Sequence, residues 1–283
     1  MSINYTHRNY ILIIFLIPLF FLLFFICHSF TVSAQGLLAK DNNNTFPILR
    51  DPTLKVEQIV KGLFFPTSIS FIDNNDFIVT QKNGTVSRVI NNTLIDKPLL
   101  NLNVASGFYQ GLLGSAASKN SRTNTTYVFL SFIAANIKSP SNNTNISDSN
   151  IEKFGHKIYR YELIGNKLAN PKILLQLPST PGPENNGGYI TIGPDKNLYT
   201  IIGNVMDSAN ETIARTLVQN FINGSIPDGR SGILRITQDG LPVKDSNEDK
   251  AGIIGKDYPL NLYYAYGIHN GFGLDFDPIS GHL

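Results

Sequence analysis

The chain has 283 residues, enough to bury one large core, and an all-β domain of that length is commonly a single unit. Only 16% of the residues are charged, against 23 glycines and 15 prolines, a balance that suits turn-rich β structure and argues against a helical protein. The formal net charge of +2 is small and dispersed, with no like-charge block and no basic stretch interleaved with aromatics, which excludes nucleic acid as the expected partner.

Residues 11–27 form an apolar run broken only by Pro18, preceded by Arg8, with no acidic residue in the first 34 positions. This is a targeting segment. The small-residue stretch Val32-Ser-Ala34 follows it, so residues 1–34 read either as a signal peptide cleaved before Gln35 or as an N-terminal anchor held in the membrane through residues 11–27. Both readings place the remainder outside the cytoplasm, secreted or anchored. Cys27, the single cysteine, ends the apolar run, so the exported part has no thiol for a disulfide, a cysteine-ligated zinc or a nucleophile. Asn-x-Ser/Thr sequons begin at Asn43, Asn83, Asn91, Asn124, Asn142, Asn145, Asn210 and Asn223. They fit a glycosylated exported surface, or arise by chance in a chain rich in Asn, Ser and Thr.

Residues 35–57 are polar, contain Pro47 and Pro52, and read as a linker into a domain over residues 58–283. Short apolar runs at 67–72, 77–80 and 86–90, separated by Asp73-Asn-Asn-Asp76 and Lys82-Asn-Gly84, predict a three-stranded meander. Runs at 127–132 and 156–163 predict a second unit, with the Asn/Ser-rich residues 136–150 as a solvated loop. A third unit runs through 189–192, 198–202 and 232–237, and echoes the first in placing Gly before a strand that carries Arg. Units of strands and turns repeating at this spacing point to a β-propeller rather than a sandwich. Between the last two strands, Ile213, Leu217, Val218 and Phe221 stand at roughly helical spacing and predict one short helix. A fourth unit is expected to open at 262–267 and 272–276 and to turn at 277–281, so the domain reads as the first three and a half blades of a longer, here truncated, propeller.

On these motifs the chain resembles the glucose/sorbosone dehydrogenase family, the soluble quinoprotein sugar dehydrogenases built on a six-bladed all-β propeller. The resemblance covers about residues 57–283. It is carried by Gly62-Leu-Phe-Phe-Pro-Thr-Ser-Ile-Ser-Phe71, Gln110-Gly-Leu-Leu-Gly114, Asn186-Gly-Gly-Tyr-Ile-Thr-Ile-Gly-Pro-Asp195, Ser231-Gly-Ile-Leu-Arg-Ile236, Tyr266-Gly-Ile-His-Asn270 and Gly273-Leu-Asp-Phe-Asp-Pro278. It implies pyrroloquinoline quinone (PQQ) and calcium in a central channel, and oxidation of a sugar CH–OH group by hydride transfer to the quinone. A histidine just before the Gly-Gly pair would take the hydroxyl proton, as imidazole suits a base working near neutrality. Gln110, Asn186, His269 and Asn270 would line the cofactor side of that site.

Three departures fall on this implied pocket. The base position holds Asn185, and an amide is no general base. Glu184 is a poor substitute, because neighbours in an extended segment face opposite ways. The family's Gly-Asp is Gly203-Asn204, and its Arg-Asn is His269-Asn270, which exchanges a fixed cation for a group that titrates. The family's calcium ligands would lie past Leu283, and no metal-ligating motif is read in the chain itself, Asp245-Ser-Asn-Glu-Asp-Lys250 lacking calcium-loop spacing. The sequence thus predicts a PQQ-type sugar dehydrogenase that is impaired or inactive. The alternative is a non-catalytic extracytoplasmic propeller that binds glycan or protein. Simpler structural roles are also open: Asn185, Asn186 and Asn270 as turn closers, His269 at a blade turn, and His156 and His282 at the surface or a strand edge.

Overall fold

The computed structural model describes residues 49–105, 107–135, 155–177, 184–205, 218, 223–244 and 252–283. Residues 49–57 belong to a unit that ends at Glu57, and are turned by Asp51, whose carboxylate accepts from the backbone N–H of Thr53 at 2.9 Å. Gln58–Leu283 form the second unit, which carries all the strands described below.

This unit is built from three antiparallel meanders. The first contains β1 (Pro66–Asp73), β2 (Asp76–Gln81), β3 (Thr85–Ile90), β4 (Thr93–Leu94) and β5 (Leu100–Asn101), with β4 and β5 both pairing to β3. The second runs in order through β6 (Leu112–Asn120), β7 (Thr125–Ala134), β8 (Gly155–Ile164) and β9 (Lys167–Gln176). The third runs through β10 (Gly187–Ile192), β11 (Leu198–Ile202), β12 (Gly232–Ile236) and β13 (Tyr263–Tyr266). The first strands of the sheets lie side by side, as the inner strands of propeller blades do. Ser70 and Ser115 share a 2.7 Å hydroxyl hydrogen bond between β1 and β6, and the Thr67 hydroxyl donates to the Leu112 carbonyl at 2.8 Å. On the other side of β6, a Cβ on Gly114 would stand 2.5 Å from the Gly188 carbonyl oxygen, so β10 can approach this closely only because no side chain is there.

The core explains why the middle strands read as nearly continuous apolar runs. In β7, Val128, Leu130 and Phe132 face the first sheet, packing with Ile78, Val86 and Leu112, while Phe129 faces the third, packing with Ile190, Leu198 and Leu234. Strand alternation is intact, but both faces are buried. The sheets are also tied along their third strands. Arg88 in β3 holds Asp76 of its own sheet and reaches the Gly165 carbonyl and the Asn166 side chain, both at 2.9 Å, in the turn between β8 and β9. Arg160 in β8 repeats the reach one sheet on, to the Gln238 carbonyl at 3.0 Å and the Asp239 carboxylate at 2.7 Å. Arg235 holds the matching place in β12, opposite Tyr199 as Arg160 is opposite Phe129 and Arg88 opposite Ile78, and it binds Asp195.

Several expectations change. Residues 262–267 do not open a fourth unit: Tyr263–Tyr266 is the outer strand of the third sheet, because it pairs with β12. Residues 272–276 form no strand, and instead lie over the third sheet, with the Phe276 ring edge-on to Tyr199 at 4.9 Å. Strands β6 and β9 stand where no strand was predicted. His156 is buried rather than at a surface, since in β8 both faces are covered. The solvated loop at 136–150 and the apolar run at 11–27 lie outside the described residues, as does the short helix apart from Val218. Among the described residues no helix is long and apolar enough to cross a membrane.

Candidate functional site

Four segments of the third sheet meet where its inner strand begins. Asn185 has a positive φ of 54°, a conformation Asn tolerates better than most side chains, and its carbonyl accepts from the Val205 N–H at 3.1 Å. The segment is therefore turned and not extended, so the expectation that Glu184 and Asn185 face opposite ways does not apply. Gly203 N–H donates to the Asn186 carbonyl at 3.2 Å, and Asn204 N–H to the His269 carbonyl at 2.9 Å. Ser231 N–H donates to the Gly203 carbonyl at 3.0 Å, while its own carbonyl accepts from Gly267 and Ile268. Gly203 is the centre of this joint. A Cβ there would stand 1.9 Å from the Asn185 carbonyl oxygen and 3.1 Å from that of His269.

The backbone joint brings four side chains together. The Asn270 amide donates to Asn185 Oδ1 at 3.1 Å, the Asn185 amide nitrogen lies 3.4 Å from His269 Nε2, and the Asn204 amide nitrogen lies 3.1 Å from His269 Nδ1. Asn185, His269 and Asn270, all singled out from the sequence, are thus brought together by their side chains, while Asn186 joins them through its backbone carbonyl. Gln110 lies at the same end, since β6 and β10 are level at Gly114 and Gly188 and both residues precede them by a few positions, but its backbone N–H is bound to Gly107. Asn204, read only as a lost carboxylate, is a full member. Ser231 and Arg230 were missed; the turn-rich Asp228-Gly-Arg-Ser-Gly232 before a strand was the available signal.

Arg230 is the guanidinium beside the joint, and it is buried against Asp228, with Nε 2.9 Å from both carboxylate oxygens and Nη2 2.8 Å from Oδ2. The Arg230 carbonyl accepts from the buried Tyr263 hydroxyl at 2.7 Å, and burial pushes that phenol up. Three oxygens of these residues are buried without a protein hydrogen bond: Asn204 Oδ1, Asn270 Oδ1 and Ser231 Oγ. These groups can give and take hydrogen bonds with hydroxyls. The position of the implied base carries the Asn185 amide, the Arg230 guanidinium is already paired with Asp228, and among the described residues no three His, Cys, Asp or Glu side chains gather for a metal.

Comparison with known proteins gives the context. The family model described as Glucose / Sorbosone dehydrogenase matches residues 63–283. An uncharacterized protein of Synechocystis sp. is 23% identical over 264 residues, covering 88% of this chain and 58% of its own length. Among solved structures, a Thermus thermophilus protein provisionally described as an oxidoreductase (glucose dehydrogenase) superposes with a TM-score of 0.61 at 21% identity, over 80% of this chain and 59% of that one. The PQQ-bound aldose sugar dehydrogenase of Streptomyces coelicolor gives 0.53 at 23% identity, over 76% and 54%. The chain thus spans little more than half the length of these relatives.

Proposed function

The chain belongs to the glucose/sorbosone dehydrogenase family, and on that premise we propose that it is a sugar-binding propeller of quinoprotein type whose oxidation chemistry is impaired. The observation that carries this reading is Asn185, which stands before the Gly-Gly pair with its amide engaged by Asn270 and His269. A sugar hydroxyl can exchange hydrogen bonds with such amides, but it cannot lose its proton to one. Losing a positioned base costs about 100- to 10,000-fold in rate. The PQQ-bound Streptomyces structure makes PQQ the cofactor to test, together with the calcium that the family resemblance implies. The residues at the joint support weak binding of it at best. An aldose or a glycan carrying one is the proposed ligand. The apolar run and the thiol-free remainder support an extracytoplasmic placement, secreted or anchored by residues 11–27.

The test is dye-linked aldose oxidation with added PQQ and calcium, measured beside the Streptomyces enzyme, together with calorimetric titration of the same aldoses. Turnover at least about 100-fold lower, with sugar binding retained, is expected. Turnover within tenfold of that enzyme would overturn the impairment, and absence of sugar binding would overturn the ligand.

A further inference from the structure

We propose that Asn204 is a positioning residue that holds the His269 ring in its Nδ1–H tautomer, while Asn185 takes up the remaining lone pair on Nε2. The imidazole then links two amides. This deepens the proposed impairment and rests on it only for the location of the site.

Donor and acceptor counts decide the tautomer. A neutral imidazole carries one N–H donor and one lone-pair acceptor, so its two nitrogens cannot both accept from amide nitrogens. Here each faces an amide, Nδ1 that of Asn204 at 3.1 Å and Nε2 that of Asn185 at 3.4 Å. The polarity of Asn185 is set by its other contact, because its Oδ1 accepts from the Asn270 amide at 3.1 Å, which leaves its nitrogen to donate to Nε2. Nδ1 therefore carries the proton, and the buried Asn204 presents Oδ1 to it; the two ends of an amide are told apart by such networks.

One amide is turned, and a single-direction chain results: Asn270 donates to Asn185, Asn185 to His269, and His269 to Asn204. The Asn204 nitrogen then takes the buried position at which this side chain has no protein partner. The opposite sense would require turning Asn185 and Asn270 together. It would put the proton on Nε2, so the tautomer distinguishes the two.

The experiment is nitrogen NMR on the full chain labelled at its five histidines, at a pH where imidazole is neutral, with the His269 signal identified by its loss in His269→Gln. In the unaltered chain Nδ1 is expected to carry the proton. Asn204→Asp, which keeps an acceptor oxygen, should preserve that state, and Asn204→Leu should shift the ring toward Nε2–H. An Nε2–H ring in the unaltered chain would overturn the proposal, as would a tautomer indifferent to Asn204→Leu. If the leucine variant does not fold, the unaltered chain still decides it. No sugar or quinone is needed, so this proposal and the proposed function can fail separately.

Discussion

Asn204 and His269, 65 positions apart, are joined twice: the Asn204 N–H donates to the His269 carbonyl at 2.9 Å, and the Asn204 side chain meets the His269 ring at 3.1 Å. The double link needs the chain to pass between Asn185 and His269 with no side chain at Gly203. Gly203→Ala should therefore cost at least about 3 kcal/mol, because the nearest obstacles are backbone atoms that cannot swing aside. Urea unfolding measures the loss. A variant as stable as the original would show that the joint is not fixed as described.

His156 gives a pH dependence with a definite window. Its Nε2 is paired with the Ser131 hydroxyl at 2.8 Å inside the second sheet, and burial pulls the ring down to about 4 from the ordinary 6.5. The unfolded chain therefore takes up the proton first as pH falls, so stability present above 6.5 is lost progressively down to about 4. The full loss is of order 3 kcal/mol. Chemical denaturation between pH 7 and pH 4 should show this slope, and His156→Gln should flatten it. An equal slope in both proteins would assign it elsewhere.

What the sequence hid follows from the same packing. The alternating runs of β1 to β3 and β10 to β12 were legible because apolar residues mark them. β6 was not, since Gly114, Ser115, Ala116 and Ala117 are small in order to pass between two neighbouring inner strands, and small residues carry little strand signal. β9 was hidden by Pro171 and its charges, which an outer edge strand tolerates. At the site, the composition of the pocket was readable from motif positions, but its partnership was not. Nothing in a linear chain announces that Asn204 rather than Asn185 alone would flank His269, because backbone bonds at Gly203 and Ser231 bring them together.

Burial separates two phenylalanines of similar appearance in the sequence. Phe129 is fully buried between the second and third sheets, and Phe129→Ala should cost about 3–5 kcal/mol through lost burial and the cavity left behind. Phe71 is 66% exposed on the face of β1 opposite Ser70, and Phe71→Ala should change stability by less than about 1 kcal/mol. Denaturant midpoints of the two variants check the ordering. A large cost at Phe71 would mean that this face is covered in solution.

The arginines of the third strands should differ in a way their shared position does not suggest. Arg88 meets the next sheet through a neutral carbonyl and an amide oxygen, and is itself held by Asp76, both side chains of that pair being largely buried. Arg160 meets Asp239, a carboxylate more than half exposed that also binds Lys172 at 2.9 Å. Two cations hold Asp239 below its usual range, so the loss of one leaves the other in place. A double-mutant cycle on Arg160→Met and Asp239→Asn should therefore give a coupling of about 0.5–1 kcal/mol, reduced in 1 M salt, because exposed pairs are screened. Asp76→Ala should cost more, about 2–3 kcal/mol, since it leaves a buried guanidinium without its anion, and the cost should respond little to salt. The reverse ordering would show that the contact between the second and third sheets is the stronger of the two joints, and that exposure at Asp239 is a poor guide to its contribution.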